Sequence, residues 1–271
     1  MIDTGGKSCL MNLYGAEHHI LVLSDTIDAD FHQHSFIQVT IGIEAPFEIE
    51  VDGHLLNTEG IIINSNVSHR LQESGRPLLL LLMDSTSNIA NAFKQFLGEH
   101  AYTVFPSEQS NHIGPINIKA IAQFIKTQLP LVQNSESYHL FLEQLMNLFN
   151  LDYTQPDVTD PRIQELIQSI KDCTDSDHSI GYYAKQIGLS NSRLSHLFKE
   201  NTGISLSGYI LLHKLQKASY IIFNGHSITD ASMIAGFDTP SHFANASKKL
   251  LGMTAKDIRK DSVFLQVSSL H

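Results

Sequence analysis

Long apolar runs are missing from this chain. None approaches the roughly 20 residues that cross a bilayer, and the longest, Leu78 to Met83, has the length of a buried strand. The opening residues lack an export signal: Asp3 and Gly5-Gly6 stand where a basic region and an apolar stretch belong, so secretion is not expected. Cysteine is scarce. Cys9 and Cys173 fall in different halves without metal-ligand spacing, which gives no basis for a disulfide framework and fits reduced thiols in a cytosolic protein. Basic charge is also in deficit, with 18 lysines and arginines against 28 aspartates and glutamates, a net charge of -10. The deficit is uneven: residues 1–159 carry 6 basic against 18 acidic side chains, residues 160–271 carry 12 against 10. Only the second part can approach a polyanion without strong repulsion, and its balance alone does not identify a nucleic-acid binder.

What is present is the composition of a folded protein, 42% hydrophobic over 271 residues, long enough for two domains. The first eighty residues read as short strands: Ile20–Leu23, Phe36–Ile43, Phe47–Val51, Ile61–Ile63 and Leu78–Leu82. Turn signals at Asp52-Gly53, Glu59-Gly60 and Gly75-Arg76-Pro77 separate them, the spacing of a small β-sandwich or barrel. Helical periodicity follows at Asn88–Leu97, Ile116–Leu129 and Tyr138–Leu151. The last of these is apolar around so much of its surface that it suits burial against the barrel and, equally, against a second subunit. Residues 153–159 read as a linker, after which Asp160-Pro161 supplies a cap and a helix start.

The C-terminal part contains an internal repeat. SIGYYAKQIGLSNSRLSHLFKENTG runs from Ser179, and SITDASMIAGFDTPSHFANASKKLLG from Ser227. Gly188 matches Gly236, Leu194 matches Phe243 and Gly203 matches Gly252. Each copy reads as a helix, a glycine turn and a second helix, the pattern of a helix-turn-helix. Leu206–Phe223, helical throughout except for Gly208, lies between them and spans about 27 Å at about 1.5 Å per residue. That length is commensurate with two recognition helices one duplex turn apart, about 34 Å, on a single face of DNA.

With DPRI at the start, Ala184 before IGLSNSRLSHLFKENTGIS, the Tyr209 and KLQKA spacer, SITDASMIAGFDTPSHF and the closing GMTAKDIR, residues 160–261 resemble the DNA-binding domain of the AraC/XylS family of bacterial transcription regulators. The resemblance implies base reading by Ser192, Ser195 and His196 in the first unit and by Pro240, Ser241, His242 and Asn245 in the second. Arg193, Lys199, Lys248 and Lys249 are expected to meet phosphates. The chain departs from the family at Lys214, Ala231, Ser232, Ser247 and Ala255, so the second unit is expected to pack less well and to discriminate sequence less.

In the N-terminal part, alternation along Phe31-His32-Gln33-His34 puts His32, His34, Phe36 and Gln38 on one strand face, and His69 follows about thirty residues later. This is similar to a cupin barrel, with HQH as the first motif and His69 as the histidine of the second. Gln38 stands near the place where a metal cupin has an acid, and glutamine is the poorer ligand. The expectation is therefore no metal and no cofactor, with these five residues lining a pocket for a small organic effector. The expected fold is a two-domain α+β chain. A cupin-like β-barrel with a helical dimerisation region covers 1–152, and an all-α tandem helix-turn-helix domain covers 160–271. The expected function is that of an effector-controlled regulator without catalytic residues. It would be a homodimer bound to double-stranded promoter DNA in the bacterial cytoplasm and nucleoid, with RNA polymerase as a further partner and no membrane. The alternative is a metal-dependent cupin enzyme carrying a vestigial DNA-binding domain.

Overall fold

The computed structural model of the chain describes residues 12–16, 18–25, 27–72, 75–105, 116–151, 158–172, 179–251 and 263–266. The linker expected at 153–159 lies largely outside the described residues, as do both cysteines.

Nine strands precede the first helix: β1 (Asn12–Gly15), β2 (His19–Ser24), β3 (Ala29–His32), β4 (Phe36–Gly42), β5 (Phe47–Val51), β6 (His54–Thr58), β7 (Gly60–Ile63), β8 (His69–Leu71) and β9 (Leu78–Asp84). Two further strands, β10 (Tyr102–Phe105) and β11 (Val263–Gln266), complete two sheets. One sheet runs β10-β7-β4-β9-β2-β1-β11 and the other β3-β8-β5-β6. The seven-stranded sheet has both faces covered, which is why β4 and β9 are buried at every position rather than at every second one. Leu78, Leu80 and Leu82 face the smaller sheet, together with Phe36, Ile61 and Ile63. Leu79, Leu81 and Met83 face a helical layer formed by α1 (Asn88–Leu97), α2 (Ile118–Gln128) and α3 (Ser135–Leu148).

The expected barrel is instead a stack of two sheets. Among the described residues no ladder joins the edges of one sheet to those of the other. The edge beside β1 is taken by β11, which pairs with it in parallel from Asn12↔Val263 to Gly15↔Gln266. The pairing of β3 with β8 slips between Ala29 and His32. Residues 263–266 thus join the N-terminal sheet rather than the helical domain to which 160–271 was assigned.

The helical layer begins and ends where side chains cap it. Ser87 accepts from the Ala90 amide at the start of α1, and Asn134 and Ser137 form a reciprocal capping box that starts α3 ahead of the expected Tyr138. At the end of α2, Pro130 cannot continue the α-helical ladder and Leu129–Leu131 form a single 3-10 turn. On α3, Tyr138, Phe141, Leu142, Leu145 and Met146 are buried, whereas Leu140 is exposed.

The C-terminal helices are α4 (Pro161–Asp172), α5 (Ile180–Ile187), α6 (Asn191–Thr202), α7 (Leu206–Phe223), α8 (Ile228–Ile234) and α9 (Pro240–Leu251). Both helix pairs turn on the same two hydrogen bonds. Gly188 donates to Lys185 O and Leu189 to Ala184 O; Gly236 donates to Met233 O and Phe237 to Ser232 O. Gly188 and Gly236 have φ of 69° and 81°, the left-handed region in which a side chain is strained. The second turn is one residue longer, since Ser190 caps α6 two positions after its glycine and Thr239 caps α9 three positions after its own.

Candidate nucleic-acid interface and histidine cluster

The two second helices expose the side chains expected to meet DNA. On α6, Ser192, Arg193, His196 and Lys199 are exposed and Ser195 is half-buried. On α9, Ser241, His242, Asn245 and Lys248 are exposed and Pro240 is half-buried. The side chain of Lys249 lies outside the described residues. Leu194, Leu197 and Phe198 hold α6 in the core, and Phe243 and Leu250 hold α9.

The departures in the second unit are absorbed without leaving a polar group stranded at Ser232. Ala231, Ser232 and Ser247 are all fully buried, and the Ser232 hydroxyl donates to Thr229 O at 2.8 Å. Aromatic bulk comes from Phe237, whose ring centre lies 5.2 Å from that of Phe243.

Three of the exposed groups have acidic neighbours. His196 Nδ1 is 3.9 Å from Glu200 and His242 Nδ1 is 3.2 Å from Asp238. Lys248 Nζ donates to Asp30 Oδ2 at 2.8 Å, linking α9 to β3 of the sheet domain. This pair raises the pKa of Lys248 and lowers that of Asp30, through the hydrogen bond first and the mutual charge second. Both groups are open to solvent, so the link is exchangeable.

Beside Asp30 lies the histidine cluster. His32, His34 and His69 come together with ligand-capable atoms all within 4.8 Å of one another. The ring centres of His32 and His34 lie 4.2 and 5.1 Å from that of His69. The sheets make this possible: β4 projects Phe36, Gln38 and Thr40 into the space between them, while Ile37, Val39 and Ile41 face the helices. His69 opens β8 opposite His32 of β3.

Each imidazole is oriented by a main-chain carbonyl. Nδ1 of His32 lies 2.7 Å from Asp30 O, that of His34 lies 3.1 Å from Phe36 O and that of His69 lies 2.9 Å from Val67 O. A carbonyl only accepts, so each Nδ1 carries the proton and each Nε2 presents a lone pair. Gln38 Oε1 stands 3.2 Å from Nε2 of His34 and 3.3 Å from Nε2 of His69, and its amide nitrogen donates to Thr40 Oγ1 at 3.0 Å. Burial keeps the rings neutral, with His34 lowered to about 4, His69 to about 3 and His32 lowered as well. All five residues expected to form the N-terminal site therefore meet, with the Phe36 ring 6.2 Å from that of His34.

Apart from Lys248, the residues that join the two halves were not singled out in the sequence. Thr86 Oγ1 accepts from the backbone of Ser205 at the start of α7 at 2.7 Å and donates to Asp84 Oδ1 at 2.6 Å. Gln216, buried at mid-helix on α7, donates to Ala16 O beyond β1. A side chain at Gly208 would collide with the Asp84 carboxylate, and one at Gly15 with Gln216. Gly208, the one break in an otherwise helical pattern, was the available signal.

A helix-turn-helix domain family matches residues 183–261, and the chain is similar to regulatory proteins of bacterial operons. Residues 183–261 are a helix-turn-helix domain. The arabinose operon regulatory protein of Escherichia coli K12 is 31% identical to this chain over 102 residues, 37% of this chain and 35% of that protein. The Msm operon regulatory protein of Streptococcus mutans is 27% identical over 148 residues, 52% of this chain and 53% of that protein. The chain thus spans between about a third and a half of the length of these relatives. Fatty-acid-bound ToxT of Vibrio cholerae is 10% identical, covering 96% of this chain and 98% of its own, with a TM-score of 0.44. At that distance nothing about the site or ligand of this chain follows from it.

Proposed function

We propose that this protein is a sequence-specific DNA-binding transcription regulator whose affinity for promoter DNA is controlled by a small ligand in its cupin-like N-terminal domain. The observation that carries the reading is the pair of like-built helix-turn-helix units joined by α7, each presenting an exposed polar helix face. His32, His34, Phe36, Gln38 and His69 are the ligand-facing residues. Asp30 supplies the connection, because its carbonyl orients His32 while its carboxylate holds Lys248. A ligand that shifts His32 changes whether Lys248 is free for a phosphate, which is a bias between two arrangements.

Exposed Leu131 and Leu140 on the helical layer support a homodimer formed through that layer. Among the described residues no helix is long and apolar enough to cross a membrane. The reading places the protein in the cytoplasm on the bacterial nucleoid, with RNA polymerase as the partner met at a promoter.

The test is selection of binding sites from a random duplex library, followed by mobility shifts on the selected sequence and on an unrelated one. His196→Ala is expected to weaken the selected site more than the unrelated one. Lys248→Ala is expected to weaken both alike and reduce the salt slope by about 1. No enriched sequence and no retardation at low salt would overturn the proposal. Equal loss on both duplexes for His196→Ala would remove that residue from base reading.

A further inference from the structure

The feature that the regulator reading leaves unexplained is the chemistry of the histidine cluster. Three imidazoles with protonated Nδ1 atoms direct Nε2 lone pairs toward a shared region, and Gln38 Oε1, itself an acceptor, stands 3.2 and 3.3 Å from two of them. Acceptors gathered in a buried space repel one another unless something positive sits among them. Phe36, whose ring stands edge-on to that of His34, belongs to the apolar core between the two sheets. A cation matches this setting in charge.

We propose that His32, His34 and His69, with Gln38 as fourth ligand, bind a divalent transition-metal ion, and that this ion is what the sheet domain senses. The identification rests on the regulator reading above for its sensing half and on geometry alone for its binding half. Imidazole nitrogens suit zinc, cobalt, nickel and ferrous iron. Every ring donates Nδ1–H to a carbonyl, the outer-shell arrangement that orients a metal-binding histidine. The donor atoms, within 4.8 Å of one another, are drawn inward on binding, because metal–nitrogen bonds of about 2.0–2.1 Å set tetrahedral ligands about 3.4 Å apart. His32 is the half-buried member and therefore the ring freest to move. Its Nδ1 is tied to Asp30 O, and Asp30 Oδ2 holds Lys248, so drawing His32 inward shifts Asp30 relative to α9. The metal state is thereby communicated to a cation expected to meet DNA.

The experiment uses the full chain stripped with a chelator and titrated with Co(II) and with Zn(II), followed by calorimetry and by visible absorption of the cobalt form. One equivalent is expected, lost or weakened by about 100-fold in His69→Ala and in His32→Ala. His32→Ala is included because a half-buried ring is removable without opening the core, and circular dichroism establishes that it folds. Gln38→Glu is expected to tighten binding by about tenfold, since carboxylate is the better ligand. The alternative is a turned Gln38 amide that donates from Nε2 to both imidazoles and satisfies the cluster without an ion. No binding of either ion by the unaltered chain would establish that alternative and overturn the proposal; equal stoichiometry and affinity in the unaltered chain and in His32→Ala would overturn it by placing the ion elsewhere.

Mobility shifts with and without saturating Zn(II) test the sensing half. A metal-dependent change in affinity, abolished in Asp30→Ala, supports it. Metal binding with unchanged DNA affinity would overturn it. Metal binding with no DNA binding under any condition would overturn the regulator reading, and sensing with it, while leaving the ion site established by titration.

Discussion

His18 and His19 lie side by side at the entrance to β2, both buried. His19 Nε2 shares a hydrogen bond of 2.7 Å with the Tyr138 hydroxyl on α3, whereas neither ring nitrogen of His18 has a partner. Burial lowers His18 to about 4 and His19 to about 3, so both are neutral in the folded protein. An unfolded chain protonates them near 6.5. Their contribution to stability is complete above about 6.5. It falls with pH through the window down to about 4 for His18 and about 3 for His19, by about 1.4 kcal/mol per pH unit for each. His18→Leu removes no hydrogen bond, so thermal melts at pH 7 and pH 5 are expected to differ by less in this variant than in the unaltered chain. An unchanged pH dependence would contradict the assignment. Nothing in the sequence marked this pair. His32, His34 and Gln38 were legible as an alternating run, but not on the one strand face expected: His32 ends β3 in one sheet, Gln38 lies in β4 of the other and His34 falls in the connection between them. His18 and His19, by contrast, straddle a strand entrance, and the partner of His19, Tyr138 on α3, is 119 residues away. Gln216 was hidden for the same reason: a polar residue inside a helix reads as solvated until the strand that receives it is known.

At the scale of elements, hydroxyl caps govern the helical domain. Ser179, Ser190, Ser205 and Ser227 accept from backbone amides at the starts of α5, α6, α7 and α8, and Thr239 does so for α9. Ser190→Ala is expected to cost about 1 kcal/mol, read from chemical denaturation. It is also expected to weaken DNA binding, since the freed turn carries Ser192 and Arg193. No change in either measurement would show that the cap does not order α6. Apolar periodicity made some helices readable: α1 and α7 begin and end at the residues expected from their helical pattern. The short strands were less readable. β6 is largely exposed and β8 has three residues, so neither offers the apolar run that marks a buried strand, and β10 interrupts a helical stretch. Strand β11 depends on a partner some 250 residues away, beyond the reach of any local pattern.

Across the whole molecule, α7 both spaces the two DNA-binding units and docks on the sheet domain. Gly208→Ala distinguishes these roles, because they predict opposite signs. In an isolated helix, alanine stabilises by about 1 kcal/mol. In this protein the added methyl displaces the Asp84 carboxylate, at a cost of about 1–3 kcal/mol. A lower melting temperature and a larger radius of gyration by small-angle scattering are expected; a higher melting temperature with unchanged scattering would refute the docking. Strand β11 adds a constraint of another kind. The chain leaves the N-terminal half after Leu151 and returns to it at Val263, so the helical domain is tied to the sheet domain by chain at both ends as well as docked on it through α7, rather than strung as a bead on one string. A body tied at both ends and docked along one helix between them has no free axis to swing about. Movement of the recognition helices relative to the sheet domain must then part the α7 contacts or the β1–β11 pairing.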